Sequence, residues 1–295
     1  MVNLLRQLRS NERDIFIAAG AIVLSLGIVL SSFFIVSEAQ ALRISMKRII
    51  FEGPKRSDII SIINNTAQEQ TYRLGLKHYR MDAERSLVKL EGPDDPAGAD
   101  IRWADEMIRY APRRVTVPPG GSQQIRLLLR RPRDLADGEY RSHLWIITET
   151  DAEAFEANKP ANAGAQSFRL AMTPAITLPI LVRSGQMNIK SSITNAKVTD
   201  VGGGKHKVSF TVNREGNRSL YGDLRVICTG SGEYVASNKR GIAVYTELTK
   251  REFSYEYDVP ADQAAACRSV RIEYLADKDD AQYNGALMAQ ANASM

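Results

Sequence analysis

Beyond an apolar N-terminal run, the large apolar residues of this chain come in short β-branched and aromatic stretches, alternating in places with polar ones and broken by Gly, Pro, Asn and Asp. The pattern predicts strands over residues 44–51, 58–63, 72–79, 114–117, 124–130, 140–148 and 168–183. Seven such runs in a stretch of this length suit an immunoglobulin-like sandwich. After Ser184-Gly185, which reads as a hinge, a second series follows at 208–212, 224–229, 242–245, 253–259 and 270–275. Asn64-Asn65, Pro118-Pro119-Gly120-Gly121, Asp137-Gly138 and Gly202-Gly203-Gly204 supply turns, since these residues accept the dihedrals that turns demand. No stretch sustains a 3.6-residue period, so helices should be few and short.

Two segments interrupt the rhythm. Residues 82–100, with Gly92-Pro93-Asp94-Asp95-Pro96, read as an extended loop, and residues 150–166, rich in Ala, Asn and acids, as a flexible connection. From Asp277 onward the small and polar composition predicts a flexible, frayed tail. The expected fold class is therefore all-β, with two immunoglobulin-like sandwich domains at 42–184 and 185–276 and a tail at 277–295.

Composition changes this picture little: 44% hydrophobic and 25% charged residues are ordinary globular usage. The net charge of +5 forms no single stripe, so nucleic acid is not an expected partner. The N-terminus matters more. Arg6, Arg9 and Arg13 precede the uncharged run over residues 15–36, and Ala39-Gln40-Ala41 fits a small-x-small processing site. Residues 1–41 read as an N-terminal signal or anchor helix. Cleavage between Ala41 and Leu42 is the expected outcome; an uncleaved anchor is the rival, because the run is long enough to span a bilayer. Either way the remainder is exported. In an oxidising compartment Cys228 and Cys267 read as a single disulfide rather than as catalytic thiols.

An enzyme reading finds no support in residue patterns. His78, His143 and His206 sit in no constellation of nucleophile, base and orienting group, and two cysteines with three scattered histidines make a metal site improbable. Ser231 in Gly230-Ser231-Gly232 lacks the spacing of a nucleophile elbow. Asp94-Asp95 and Asp279-Asp280 fall in segments that read as solvated loops. No cofactor, metal or small-molecule substrate is expected. Residues 166–183 say more: Phe168, Leu170 and Met172 alternate with Arg169 and Ala171, so three large side chains share one strand face. They either pack in this sandwich or, at a sheet edge, are offered to another protein by strand addition.

Three stretches carry a resemblance. The segment from Ile44 to Gly53 has an Arg three residues before an aromatic and five before a Gly; Ala111 to Leu144 has a proline-marked strand, a Pro-Gly turn and a Gln-x-x-Arg strand; the third is the alternating strand ending at Arg183. Together they resemble the PapD-like periplasmic chaperones of the chaperone-usher pathway, in a divergent branch. The resemblance implies a non-enzymatic chaperone that stabilises a pilin-like subunit by donating an edge strand and delivers it to an outer-membrane usher. It implies Arg48 as the anchor of the subunit's terminal carboxylate and Phe168, Leu170, Met172 and Ile176 as donor-strand side chains. The family's second anchoring Lys falls at Thr177, which carries no charge. The competing reading is an exported envelope structural or adhesion protein with the same sandwiches and no strand donation.

Overall fold

The computed structural model describes residues 42–84, 86–149, 175–260, 263 and 267–295. The first sandwich begins with β1 (Leu42–Ile44), β2 (Ile49–Phe51), β3 (Ser57–Asn64), β4 (Gln70–Lys77) and a hairpin of β5 (Tyr79–Asp82) with β6 (Ser86–Lys89). It continues with β7 (Ile108–Ala111), β8 (Arg114–Val117), β9 (Ser122–Leu129), β10 (Gly138–Glu149) and β11 (Ala175–Ser184). One sheet runs β1-β3-β9-β7 and the facing sheet β2-β11-β10-β4-β8. The alternation places Ile60 and Ile62 of β3, Ile125 and Leu127 of β9, and Leu144 and Ile146 of β10 in the core between them, all fully buried. Each such side chain stabilises by roughly 1.5–3 kcal/mol.

The second sandwich consists of β12 (Ile189–Gly202), β13 (Lys205–Gly216), β14 (Leu220–Gly230), β15 (Glu233–Val244), β16 (Lys250–Asp258), β17 (Cys267–Ala276) and β18 (Leu287–Ser294). Sheet β12-β13-β16 faces sheet β15-β14-β17-β18 over a separate core that includes Val208, Phe210, Leu224, Val226 and Ile272. Cys228 and Cys267 are buried and joined by a disulfide that links neighbouring strands β14 and β17. Gly202, Gly203 and Gly204 turn the β12–β13 hairpin, all with positive φ.

Several expectations need correction. The single strand over 44–51 is two strands: Ile44 pairs with Ile62 in one sheet, whereas Ile49 pairs with Ile180 in the other. The chain switches sheets through Ser45–Arg48, where strand alternation gives way to a polar crossing. The loop expected over 82–100 contains β6, paired back to β5, and a short 3-10 turn at Pro96–Gly98. The expected frayed tail is a tight turn followed by β18, which pairs along β17 and seats Ala289 and Ala293 in the second core. Its small alternating side chains fit beside a close neighbour, a property that bulk hydrophobicity does not report. Strand β12 also had no counterpart among the sequence predictions.

Among the described residues, no helix is long and apolar enough to cross a membrane. Residues 1–41 lie outside the described residues.

Candidate functional site

Strand β11 is covered unequally on its two sides. On one side β10 pairs with it from Ala175 to Ser184, while on the other β2 covers only Ile180, Leu181 and Val182. Among the described residues, the second edge of Ala175 to Pro179 therefore pairs with no strand. Pro179 belongs to this stretch, in keeping with the confinement of proline to sheet edges. Ile176, Leu178 and Ile180 share one face; Ile180 and Leu178 are buried at 0% and 4% exposure, whereas Ile176 is half-buried and only partly packed against the core. Phe168, Leu170 and Met172 have the same parity in the sequence as Ile176 but lie outside the described residues.

The open edge ends where β2 begins. Parallel pairing of Ile49 with Ile180 brings the Ser45–Arg48 crossing to the level of Pro179, so a strand added along 175–179 would terminate against it. Arg48 is the buried member of that crossing, with its side chain 6% exposed. Its guanidinium lies 3.9 Å from the centre of the Tyr221 ring, and Nη2 is 3.7 Å from Asp277 Oδ1. Neither Nη1 nor Nη2 makes a hydrogen bond. Burial pulls the Arg48 pKa below its ordinary value, with Asp277 pulling the other way. Burial likewise pushes the Tyr221 hydroxyl up.

Arg48 lines a cleft of about 370 Å³ with Lys47, Lys55, Asp58, Asp277 and Asp279 among its walls. Lys55 is committed to Asp58 at 2.6 Å, whereas Lys47 is exposed. Thr177, on the adjacent strand face, stands opposite Trp145, and the Lys77 ammonium lies 5.3 Å from the centre of that indole. Among the described residues, the arrangement presents a strand edge without a partner leading to a desolvated guanidinium whose Nη1 and Nη2 make no hydrogen bond. Chemically this suits an extended peptide and a planar anion; it contains no assembled nucleophile and base.

The sequence matches no protein-family model and no curated protein. Solved structures similar to it include the YadV chaperone, at 12% identity over 87% of this chain and 100% of that one, with a TM-score of 0.43. The Pseudomonas aeruginosa CupB2 chaperone aligns at 13% identity over 86% of this chain and 100% of its own, TM-score 0.41. The Salmonella enterica SafB chaperone, solved in complex with the SafA pilin, aligns at 10% identity over 88% of this chain and 99% of that chain, TM-score 0.39. What Arg48 and the open edge do in this chain rests on their own geometry.

The two sandwiches meet beside this cleft through a buried polar junction that the sequence did not announce. Arg183 donates from Nε to Glu139 and from Nη1 to Glu52, each at 3.0 Å. Arg218 pairs with Asp280 and donates to Gln282 at 2.6 Å. Arg141 of β10 reaches across to Glu247 of the second sandwich with bonds of 2.6 and 2.8 Å, and its guanidinium stacks 3.9 Å from the Tyr245 ring centre. Met81, Leu181, Ala243 and Tyr245 form a small apolar cluster alongside. Asp280, expected in a solvated loop, is 5% exposed: burial opposes its charge, but Arg218 and backbone donors hold its pKa below the usual carboxylate value.

His78 and His143 lie near one another, while His206 sits on a strand of the second sandwich. His78 packs edge-on against Trp103 near Asp105, and His206 lies beside Tyr257 on β13. His143 is fully buried between Tyr79 and Tyr245, with neither ring nitrogen hydrogen-bonded. No cluster of three or more potential metal-ligating side chains occurs among the described residues.

Proposed function

We propose that this protein is an exported, periplasmic chaperone that captures an incomplete pilus- or fimbria-type subunit along the open edge of β11 and delivers it to an outer-membrane usher. What supports the reading is the juxtaposition, among the described residues, of a strand edge at 175–179 that pairs with no strand and Arg48 at the level where an added strand would end. Backbone bonds to the edge would supply affinity, and apolar side chains at alternate positions would fill the subunit's exposed core. Phe168, Leu170 and Met172 continue the alternation of Ile176 and serve as those donors; Arg48 fixes register by a charge-assisted pair with the terminal carboxylate. No nucleotide, metal or catalytic group enters this function.

The contact of Arg48 with Asp277 of the second sandwich favours a different role, in which Arg48 only ties the two halves of an envelope structural protein together. Co-purification separates the readings. The exported protein isolated under native conditions should bring down a small β-rich subunit. Arg48→Ala should leave the fold intact and weaken capture by roughly 2–5 kcal/mol, the penalty of a buried, unpaired carboxylate. Met172→Glu should also spare the free protein and abolish capture. An Arg48→Ala protein that holds its subunit normally, or a wild-type protein that holds none, rejects the chaperone reading.

A further inference from the structure

The buried arginines beside the cleft differ sharply in how their donors are met. Arg141, Arg183, Arg214 and Arg218 each place at least two guanidinium nitrogens within 3.1 Å of carboxylate, carbonyl or amide oxygens. Arg48, also buried though at 9% exposure, makes no hydrogen bond from Nη1 or Nη2 among the described residues. Its nearest anion is Asp277 Oδ1 at 3.7 Å, beyond charge-assisted hydrogen-bond length, and that same oxygen accepts from the Asp279 backbone N–H at 2.8 Å. Asp277 is held by its turn: its own N–H donates to Tyr221 O at 3.1 Å, and its carbonyl accepts from Asp280 N at 3.0 Å. The aspartate is therefore close enough to compensate Arg48 but is not seated to close the gap.

The charge balance of the cleft points the same way. Lys47, Arg48 and Lys55 face Asp58, Asp277 and Asp279 across it, three cations against three acids. A further anion entering this cleft gains most by replacing one of those acids. Lys55 and Asp58 are bonded to each other, so the loosely held partner is Asp277.

We propose that Asp277 is a built-in stand-in ligand: it neutralises Arg48 in the free chain and yields the guanidinium to an incoming carboxylate, which can bond Nη1 and Nη2 together. This deepens the proposed client site and rests on that reading for the identity of the natural ligand, a chain-terminal carboxylate. The site itself can be probed without any client. The full exported chain carrying Asp277→Ala should melt about 4–8 °C below wild type, because a buried cation loses its nearest counter-charge. Sodium acetate should return much of that loss, and sodium chloride at equal ionic strength should not. Wild type, with the stand-in present, and the double variant Arg48→Ala/Asp277→Ala, with no cation to bind, should each melt alike in the two salts. If Asp277→Ala does not fold, Asp277→Asn keeps the oxygen that accepts from Asp279 and removes only the charge, and acetate should raise its melting temperature in the same selective way. An Asp277→Ala protein as stable as wild type, or equal melting in acetate and chloride, overturns the proposal. Failure of strand donation would look different, as acetate-selective recovery in a protein that co-purifies with no subunit.

Discussion

The junction and the cleft lie side by side and are built from the same residue type, yet they treat it oppositely. At the junction, Arg183 is buried with its side chain 1% exposed and is met at once by Glu139 and Glu52. In the cleft, Arg48 is 6% exposed and its terminal nitrogens are unbonded. A buried guanidinium with matched partners fixes a structure, because separating it from them leaves an uncompensated charge. One without them is poised to accept a ligand, because the desolvation has already been incurred and the hydrogen bonds have not yet been made. The strand edges repeat the contrast: β15, at the rim of the second sandwich, is interrupted by register shifts and carries Asn238, Lys239 and Arg240, devices that discourage pairing, whereas β11 leaves a straight stretch open.

The sharpest way to break this comparison is to remove one partner on each side. Glu139→Ala should destabilise the protein by about 3 kcal/mol, since it removes the fully buried partner of Arg183, leaves Nε without an acceptor and Glu52 as its one bonded carboxylate, and also deprives the Ser219 N–H of an acceptor at 3.3 Å. Arg48→Ala should cost no more than about 1 kcal/mol, because it removes unmet donors and leaves Asp277, on a surface turn, free to hydrate. Urea unfolding of both variants measures the difference. Similar losses in the two would mean that Arg48 is as structural as Arg183 and would end the distinction.

A second prediction concerns the pH range in which the junction holds. His143 packs between Tyr79 and Tyr245 near the Arg141 guanidinium; burial first, then the Arg141 charge, keep its pKa well below the ordinary histidine value. It is neutral in the folded state, whereas the unfolded chain takes up a proton below its usual pKa of about 6.5. Stability should therefore be intact above that pH and fall as pH drops through it, with a slope of up to about 1.4 kcal/mol per pH unit from this one group. His143→Phe, which keeps an aromatic ring between the tyrosines, should flatten the slope between pH 6.5 and 5 while leaving the lower-pH loss set by Asp280 in place. Melting curves across that interval decide it: an unchanged slope in the variant would assign the acid sensitivity elsewhere.

The sequence disclosed these two regions to different depths, for physical reasons. Strand β9 was readable because Ile125, Leu127 and Leu129 occupy every second position, and β10 because Leu144 to Ile147 form a continuous apolar run. Strand β18 was not, because Ala289, Ala291 and Ala293 signal their role only through the closeness of β17. The sheet switch after Ile44 was hidden in a run of apolar and basic residues that looks continuous until each half finds a different partner. Arg48 was singled out only through resemblance to a chaperone family, and its ion pair with Asp277 and the pairing of Arg218 with Asp280 join residues far apart in the chain, so no local pattern encodes them. Thr177 carries no charge at the place where the resemblance expects one, and nothing in the local sequence points to Lys77.

That missing charge gives the finest test of the contrast between a filled junction and an unfilled cleft. Thr177 is opposite Trp145 on β10, Trp145 is in turn opposite Gly75 on β4, and Lys77, two residues along the same face, holds its ammonium 5.3 Å from the indole centre. A cation thus already stands one strand away from the position where the family resemblance expects one. If Lys77 supplies the long-range attraction that a lysine at 177 would otherwise give, Lys77→Met should weaken subunit capture only a few-fold, since the charge is partly exposed and acts over a distance at which water and salt screen it. Adding Thr177→Lys to that variant should restore capture, whereas Thr177→Lys alone, with Lys77 still present, should gain little because two ammonium groups would crowd one ring. Salt dependence supplies the check: the wild type and the double variant should lose capture in parallel as ionic strength rises, and Lys77→Met should respond less steeply. If Lys77→Met captures as well as wild type at low salt, the cleft relies on Arg48 and Lys47 for its positive field, and the unfilled region is smaller than the open edge suggests.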